Sequence, residues 1–111
     1  MLPAAMPQPW AIYAGDPASI TIAVTEGDPA APRDLSGEVW VCQWRTTPSS
    51  REAVEVAVDT TDAATGTLTL TLTGAQTAAM RGGGVWDVQG SVSGTIVRGT
   101  TAWMQDVTRD D

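Results

Sequence analysis

Residues 66–73 read Gly-Thr-Leu-Thr-Leu-Thr-Leu-Thr. This strict alternation puts Leu68, Leu70 and Leu72 on one face of an extended chain and the threonines on the other. A helix would scatter the same leucines around its circumference, so the segment is predicted as a strand with one dry and one wet face. The same period recurs. Ser19–Thr25 sets Ile20, Ile22 and Val24 on one side, Glu38–Arg45 sets Trp40, Cys42 and Trp44, and Ala53–Val58 sets Val54, Val56 and Val58. Two more strands are predicted over Val85–Val92 and from Thr95 to about Val107. Val, Ile and Thr supply 31 of 111 residues and Leu only 5, which favours a pleated surface over helices. Gly15-Asp16-Pro17 and Gly27-Asp28-Pro29 are turn signals.

Residues 74–80 carry alanines, Gln76 and Met80 at short helical spacing and are predicted as one helical turn bridging sheets. Ser93-Gly94 suits a two-residue hairpin. That turn sets Val92 opposite Thr95, Trp86 opposite Thr101, Val88 opposite Gly99, Gln89 opposite Arg98 and Trp103 opposite Gly84. Trp86, Val88, Val97 and Trp103 then share one face, while Asp87, Gln89, Arg98 and Thr100 share the other. Six to seven short strands, one helical turn and an extended N-terminal arm give an all-β, immunoglobulin-like antiparallel β-sandwich. Its predicted core is Ile20, Ile22, Val24, Trp40, Cys42, Trp44, Val54, Val56, Leu68, Leu70, Leu72, Trp86, Val88 and Trp103. The predicted organisation is a proline-rich arm over residues 1–14, a sandwich over 15–109 and an acidic end at 110–111, within the size of one domain.

Whole chemistries are missing from the chain. It has no histidine, its six basic residues are all arginine, and thirteen acids bring the net charge to −7. Without histidine, Ser-His-Asp and Cys-His nucleophile systems and histidine-ligated metal sites are excluded. Without lysine, so are the P-loop and Schiff-base chemistry. The acidic balance disfavours binding to phosphate backbones. The first basic residue is Arg33, so no signal-peptide n-region is expected, and no apolar run approaches a membrane span. A lone Cys42 allows no internal disulfide.

The candidate chemical sites read more simply as structure. Asp87 is expected to face water diagonally across the hairpin from Arg98, in an exposed pair worth under about 1 kcal/mol. Asp59 and Asp62 lack the alternating ligand spacing of a calcium loop, and Asp106, Asp110 and Asp111 fall at the chain end. Residues 82–84, three glycines, precede a strand and have no lysine after them, unlike a phosphate loop. Cys42 reads as a small core residue. No catalytic residue, cofactor, metal or small-molecule substrate is expected, and neither nucleic acid nor membrane is expected as a partner.

The ordered set of segments resembles a known family. It comprises Gly15-Asp16 before an alternating strand, Asp34-Leu35-Ser36-Gly37, and a strand ending Gln43-Trp44-Arg45. Residues 66–73, the turn through Gln76 and Thr77, Trp86-Asp87-Val88-Gln89, Val97-Arg98-Gly99 and Asp106-Val107-Thr108-Arg109 follow. Over about residues 14–109 this resembles the immunoglobulin-like domain of tailed-bacteriophage virion proteins, including the N-terminal domain of baseplate upper proteins. The resemblance implies a non-enzymatic assembly module. In some members a coiled coil and a receptor-binding part follow, but neither follows Arg109 here, so a free-standing structural subunit is expected.

The arm is the predicted contact element. Pro3, Pro7 and Pro9 disfavour both a helix and a central strand, yet Met6, Trp10, Ile12 and Tyr13 are apolar or aromatic and are predicted to anchor neighbouring subunits. The alternative is that the arm covers a sheet edge of its own domain. The expected partners are other virion structural proteins, in a homo- or hetero-oligomer, after synthesis in the host cytoplasm. The first reading is a minor tail-tip or baseplate protein in the virion. The second is a capsid decoration protein. The third is a carbohydrate-binding module with exposed tryptophans.

Overall fold

The structure, a computed structural model, describes residues 4–5, 9–27 and 29–104. It is mostly β. Among the described residues ten strands run in chain order: β1 (Ala4–Ala5), β2 (Trp10–Tyr13), β3 (Ala18–Ala23), β4 (Thr25–Glu26), β5 (Ala31–Pro32), β6 (Trp40–Arg45), β7 (Val54–Asp59), β8 (Thr67–Leu72), β9 (Val85–Gly90) and β10 (Gly94–Met104). A 3-10 turn spans Ala63–Thr65, and the helix α1 spans Gly74–Met80. A capping box starts α1: the Thr73 hydroxyl accepts from Gln76 N, and the Gln76 side chain accepts from Thr73 N.

Where two separate sheets are expected, the strands form one curled sheet in the order β1-β10-β9-β6-β7-β8-β3, with β2 also on β10. The link is β7. Its first half pairs with β6 (Cys42 opposite Val56, Trp44 opposite Val54), and its second half pairs with β8 (Val58 opposite Leu70). The path from β10 through β9 and β6 to β8 and β3 is therefore continuous, with β7 shared between β6 and β8. The small β4-β5 hairpin stands apart from this path.

Alternation delivers the core. Leu68, Leu70 and Leu72 are fully buried, as are Cys42 and Val88, with Ile22, Trp40, Trp44, Val56 and Trp86 beside them. Ile20, Val24, Val54 and Trp103 pack against this cluster while keeping partial exposure. Leu35, Ala63, Met80, Ile96 and Val97 are buried beyond the expected set. The indole N–H groups find acceptors: Trp40 on Leu35 O at 2.7 Å, Trp44 on Thr101 Oγ1 at 2.8 Å and Trp103 on Thr77 O at 2.8 Å.

The arm belongs to the domain. β1 runs parallel to β10 at Val97 and Arg98, and β2 runs parallel to it from Thr101 to Met104. Prolines flank these strands without interrupting them, so edge pairing remains possible. Trp10 is 6% exposed and Ile12 0%, and the Trp10 ring meets Trp86 edge-on, centroids 6.1 Å apart. Their predicted role as anchors for a neighbouring subunit is therefore corrected: both are spent on their own core. Tyr13 remains 49% exposed, and Met6 lies outside the described residues.

The β9-β10 hairpin is also corrected. Trp86 faces Gly99, Asp87 faces Arg98 and Gln89 faces Thr95, with a bulge at Ile96 between Thr95 and Val97. β9 ends at Gly90 rather than Val92. The cause is Glu38, whose carboxylate accepts from Val92 N and Ser93 N and from the Ser93 hydroxyl, building a wider turn. Arg33 Nη2 donates to Ser93 Oγ at 2.7 Å and completes the cluster. Tryptophan does lie over glycine, but the pairs are Trp86 over Gly99, Trp44 over Gly84 and Trp40 over Gly90, where an added methyl would strike the ring.

Two expected outcomes follow from this packing. Replacing Trp10 with alanine removes a buried ring and costs about 3–5 kcal/mol, lowering the thermal melting midpoint sharply, whereas Tyr13→Ala shifts it little. The Ser93 N–H, foremost, holds the Glu38 carboxyl below its ordinary 4.5, helped by the Ser93 hydroxyl, Val92 N and Arg33. A depressed folded value means stability present above the ordinary value and lost as pH falls through the folded one. Thermal melts from about pH 6 to about pH 2 are expected to show part of the acid loss disappearing in Glu38→Gln.

Candidate docking face

The side chains that alternate away from the tryptophan core form the outer face of β6, β9 and β10. Register places Glu55, Gln43, Asp87 and Arg98 side by side across four strands. Arg45, Val85 and Thr100 form the row on one side, and Val41, Gln89 and Thr95 the row on the other. Val39 and Val41 stand 68% and 44% exposed at one end. Two adjoining hollows, of about 570 Å³ and about 280 Å³, share Gln43, Asp87 and Gln89. The larger is walled by Arg45 and Pro48, the smaller by the two valines.

Hydrogen bonds brace the larger hollow. Gln43 Nε2 donates to Glu55 Oε1 at 2.6 Å, and Arg45 Nη2 donates to Gln43 Oε1 at 3.0 Å. Arg45 Nη1 donates to Ser50 O at 2.6 Å and so ties the β6-β7 loop, with Pro48, against the sheet. The face thus combines one apolar end, a polar centre and charges of both signs, the composition of a wet protein–protein contact.

Chemistry under the face is quiet. Cys42 lies directly beneath it, 1% exposed. Burial, aided by the charges of Asp87 and Glu55, pushes its thiol up to about 12, so it stays protonated at neutral pH and is a poor nucleophile. Asp59 Oδ1 accepts from Thr61 N and Oγ1 and closes a turn, and Asp34 does the same with Ser36. Both carboxyls are held low by these bonds, the hydroxyl contribution being the larger. Asp106, Asp110 and Asp111 lie outside the described residues. Among the described residues no group of three or more His, Cys, Asp or Glu is placed to hold a metal ion. The glycines at 82–84 lead into β9, and Gly83 packs so closely on Thr101 O that a methyl would not fit. No helix among the described residues is long and apolar enough to cross a membrane.

Tryptophan platforms for sugar stacking are lacking. Trp10, Trp40, Trp44 and Trp86 are buried, and Trp103 is half-buried. Of the arm residues predicted to bind a partner, Tyr13 alone is described as open to solvent, beside Met104 on the far side of β10. Alternation along Glu38–Arg45 puts Val39 and Val41 on the face opposite Trp40, Cys42 and Trp44. What the sequence does not show is that register aligns them with the hollows.

No protein-family model matches the chain, and no curated protein matches it.

The shielding of Cys42 has a direct test. In the folded protein at about pH 8, iodoacetamide is expected to leave Cys42 unmodified for as long as it takes to label the denatured chain completely, as followed by intact mass.

Proposed function

We propose that the chain is a non-enzymatic structural subunit of a tailed-phage virion, at the tail tip or baseplate, with an immunoglobulin-like sandwich as its scaffold. Strand order supports the scaffold. β6, β9 and β10 make one layer and β3, β8 and β7 the other, as strands C, F, G and B, E, D do in immunoglobulin domains. The chain departs from that order in pairing its N-terminal strands with β10 and in sharing β7 between layers.

The observation that carries the docking role is the outer face of β6, β9 and β10. Two exposed valines at one end adjoin a braced polar centre. A rigid sheet that presents such a face loses little entropy on binding, and repetition around a symmetric particle multiplies weak contacts. In this reading the face, together with Tyr13, meets neighbouring virion proteins. The net charge of −7 keeps the free subunit soluble before assembly.

Quantitative mass spectrometry of purified particles, against the major capsid protein, tests this. A small copy number matching a tail-tip ring is the expected result. Copies in the hundreds would replace it with capsid decoration, and absence from the particle would overturn the structural role.

A further inference from the structure

Among the described residues the curled sheet does not close. Its path ends at β3, and the backbone geometry fixes which groups that edge exposes. Val24 N donates to Gly66 O at 2.8 Å, and the β3-β8 register pairs Ile22 with Leu68 and Ile20 with Leu70. Antiparallel ladders alternate, so Ile20, Ile22 and Val24 aim their N–H and C=O groups at β8. Ser19, Thr21 and Ala23 aim theirs away from it. Among the described residues no backbone or side-chain group takes these outward donors and acceptors. The β4-β5 hairpin does not cover them, because Arg33 N bonds Val24 O on the β8 side.

Side chains give the same picture. Ile20 and Val24 point inward with Ile22, yet only Ile22 is fully buried. The apolar row of β3 stays partly uncovered, since among the described residues no strand follows it.

Edges of this kind are normally blunted by charge, proline or a bulge. Here residues 17–25 contain no charged residue, and neither do residues 63–80, so β3 and β8 are both neutral in a chain of net charge −7. Ala18–Ala23 has neither proline nor bulge in its pairing with β8. The pattern is also nearly symmetric about Thr21. Ile20 mirrors Ile22, Ser19 mirrors Ala23, and Ala18 mirrors Val24.

We propose that the open edge of β3 is a self-pairing site, on which a second copy of this chain docks antiparallel with Thr21 against Thr21. A two-fold contact needs a self-complementary patch, and this edge supplies one. Thr21 donates to and accepts from its counterpart, while Ser19 and Ala23 exchange the flanking bonds. Ile20 meets Ile22 of the other copy on the inner side. Neutrality selects the occupant: a charged partner would be met by opposite charge, whereas two copies of an acidic chain can approach only where they carry none. Asp16 and Glu26 flank the stretch and confine the pairing to residues 18–24. The inference is independent of the docking role of the opposite layer.

Sedimentation equilibrium of the full chain from about 10 μM to about 1 mM tests the proposal. The mass is expected to rise reversibly from 11.6 kDa toward twice that value, and to rise sooner at high salt, which screens the repulsion between copies. Hydrogen exchange at Ser19, Thr21 and Ala23 is expected to slow with concentration, while Ile20 and Ile22 are protected throughout. Thr21→Pro deletes an N–H that the monomer does not use, so it is expected to abolish the dimer and spare the melting midpoint of the dilute protein. Thr21→Lys keeps every backbone group and sets like charges face to face, and is expected to be monomeric as well. A monomer at every concentration would overturn the proposal. So would a dimer that leaves these three amides unchanged, or one that survives either substitution.

Discussion

Everything in this domain is arranged around indoles that must be both dry and hydrogen-bonded. The chain has no phenylalanine and few leucines, so tryptophan supplies most of the large apolar volume. Each buried ring brings an N–H that costs free energy if left unpaired. The acceptors come from distant segments. Leu35 O fixes the loop before β6 to Trp40, and Thr77 O fixes α1 to Trp103. Thr101 Oγ1 accepts from both Trp44 Nε1 and Gly84 N, and Thr101 N returns a bond to Gly84 O. One buried hydroxyl therefore locks the start of β9 onto β10 and onto the ring beneath them. Glycine is required where rings cross a strand, as at Gly84 and Gly99, because a methyl would occupy the space of the indole.

This constraint explains the arm. With β10 as the last strand of its layer, Trp86 would face water on one flank. β2 runs along β10 and inserts Trp10 edge-on against Trp86, with Ile12 beside it. A second buried hydroxyl then closes the corner: Thr77 Oγ1 accepts from Gly15 N and donates to Asp16 O, joining α1 to the β2-β3 turn. The arm thus covers one edge of the sheet, while among the described residues nothing pairs with the opposite edge.

Legibility in the sequence follows from how local each cause is. Alternation is local, so β3, β6, β7 and β8 and their inward residues can be read directly. Register is not. A slip of two residues leaves every side chain on the same face, so the pattern fits Trp86 opposite Thr101 as well as Trp86 opposite Gly99. What decides is Glu38, which lies more than fifty residues away in the chain and builds the β9-β10 turn with its carboxylate. Thr77 reads as an ordinary turn threonine, and although alternation puts Thr101 on the face of Trp103, nothing nearby marks its hydroxyl as the acceptor of a buried indole N–H. The arm misleads for the same reason. Its prolines argue against regular structure, while its pairing partner is at the other end of the chain. On the outer face of β6, β9 and β10 each residue's side is legible, but the alignment of Gln43 with Asp87 and Arg98 needs three strands in register.

The two layers therefore end up with different surfaces for one structural reason. β6, β9 and β10 carry the tryptophans inward, and their outer positions are free to hold charge: Asp87, Arg98 and, on β7, Glu55. β3 and β8 carry leucine and isoleucine inward and serine, threonine or alanine outward, which adds neither charge nor an apolar patch. A threonine face binds little by itself, since each hydroxyl exchanges one water for one partner. Its backbone edge is another matter. Main-chain groups in a row give directional bonds that need no charge, and the half-covered Ile20 and Val24 beside them add apolar area. The two proposed contacts, one through side chains of β6, β9 and β10 and one through the backbone of β3, therefore draw on different residues and would not compete.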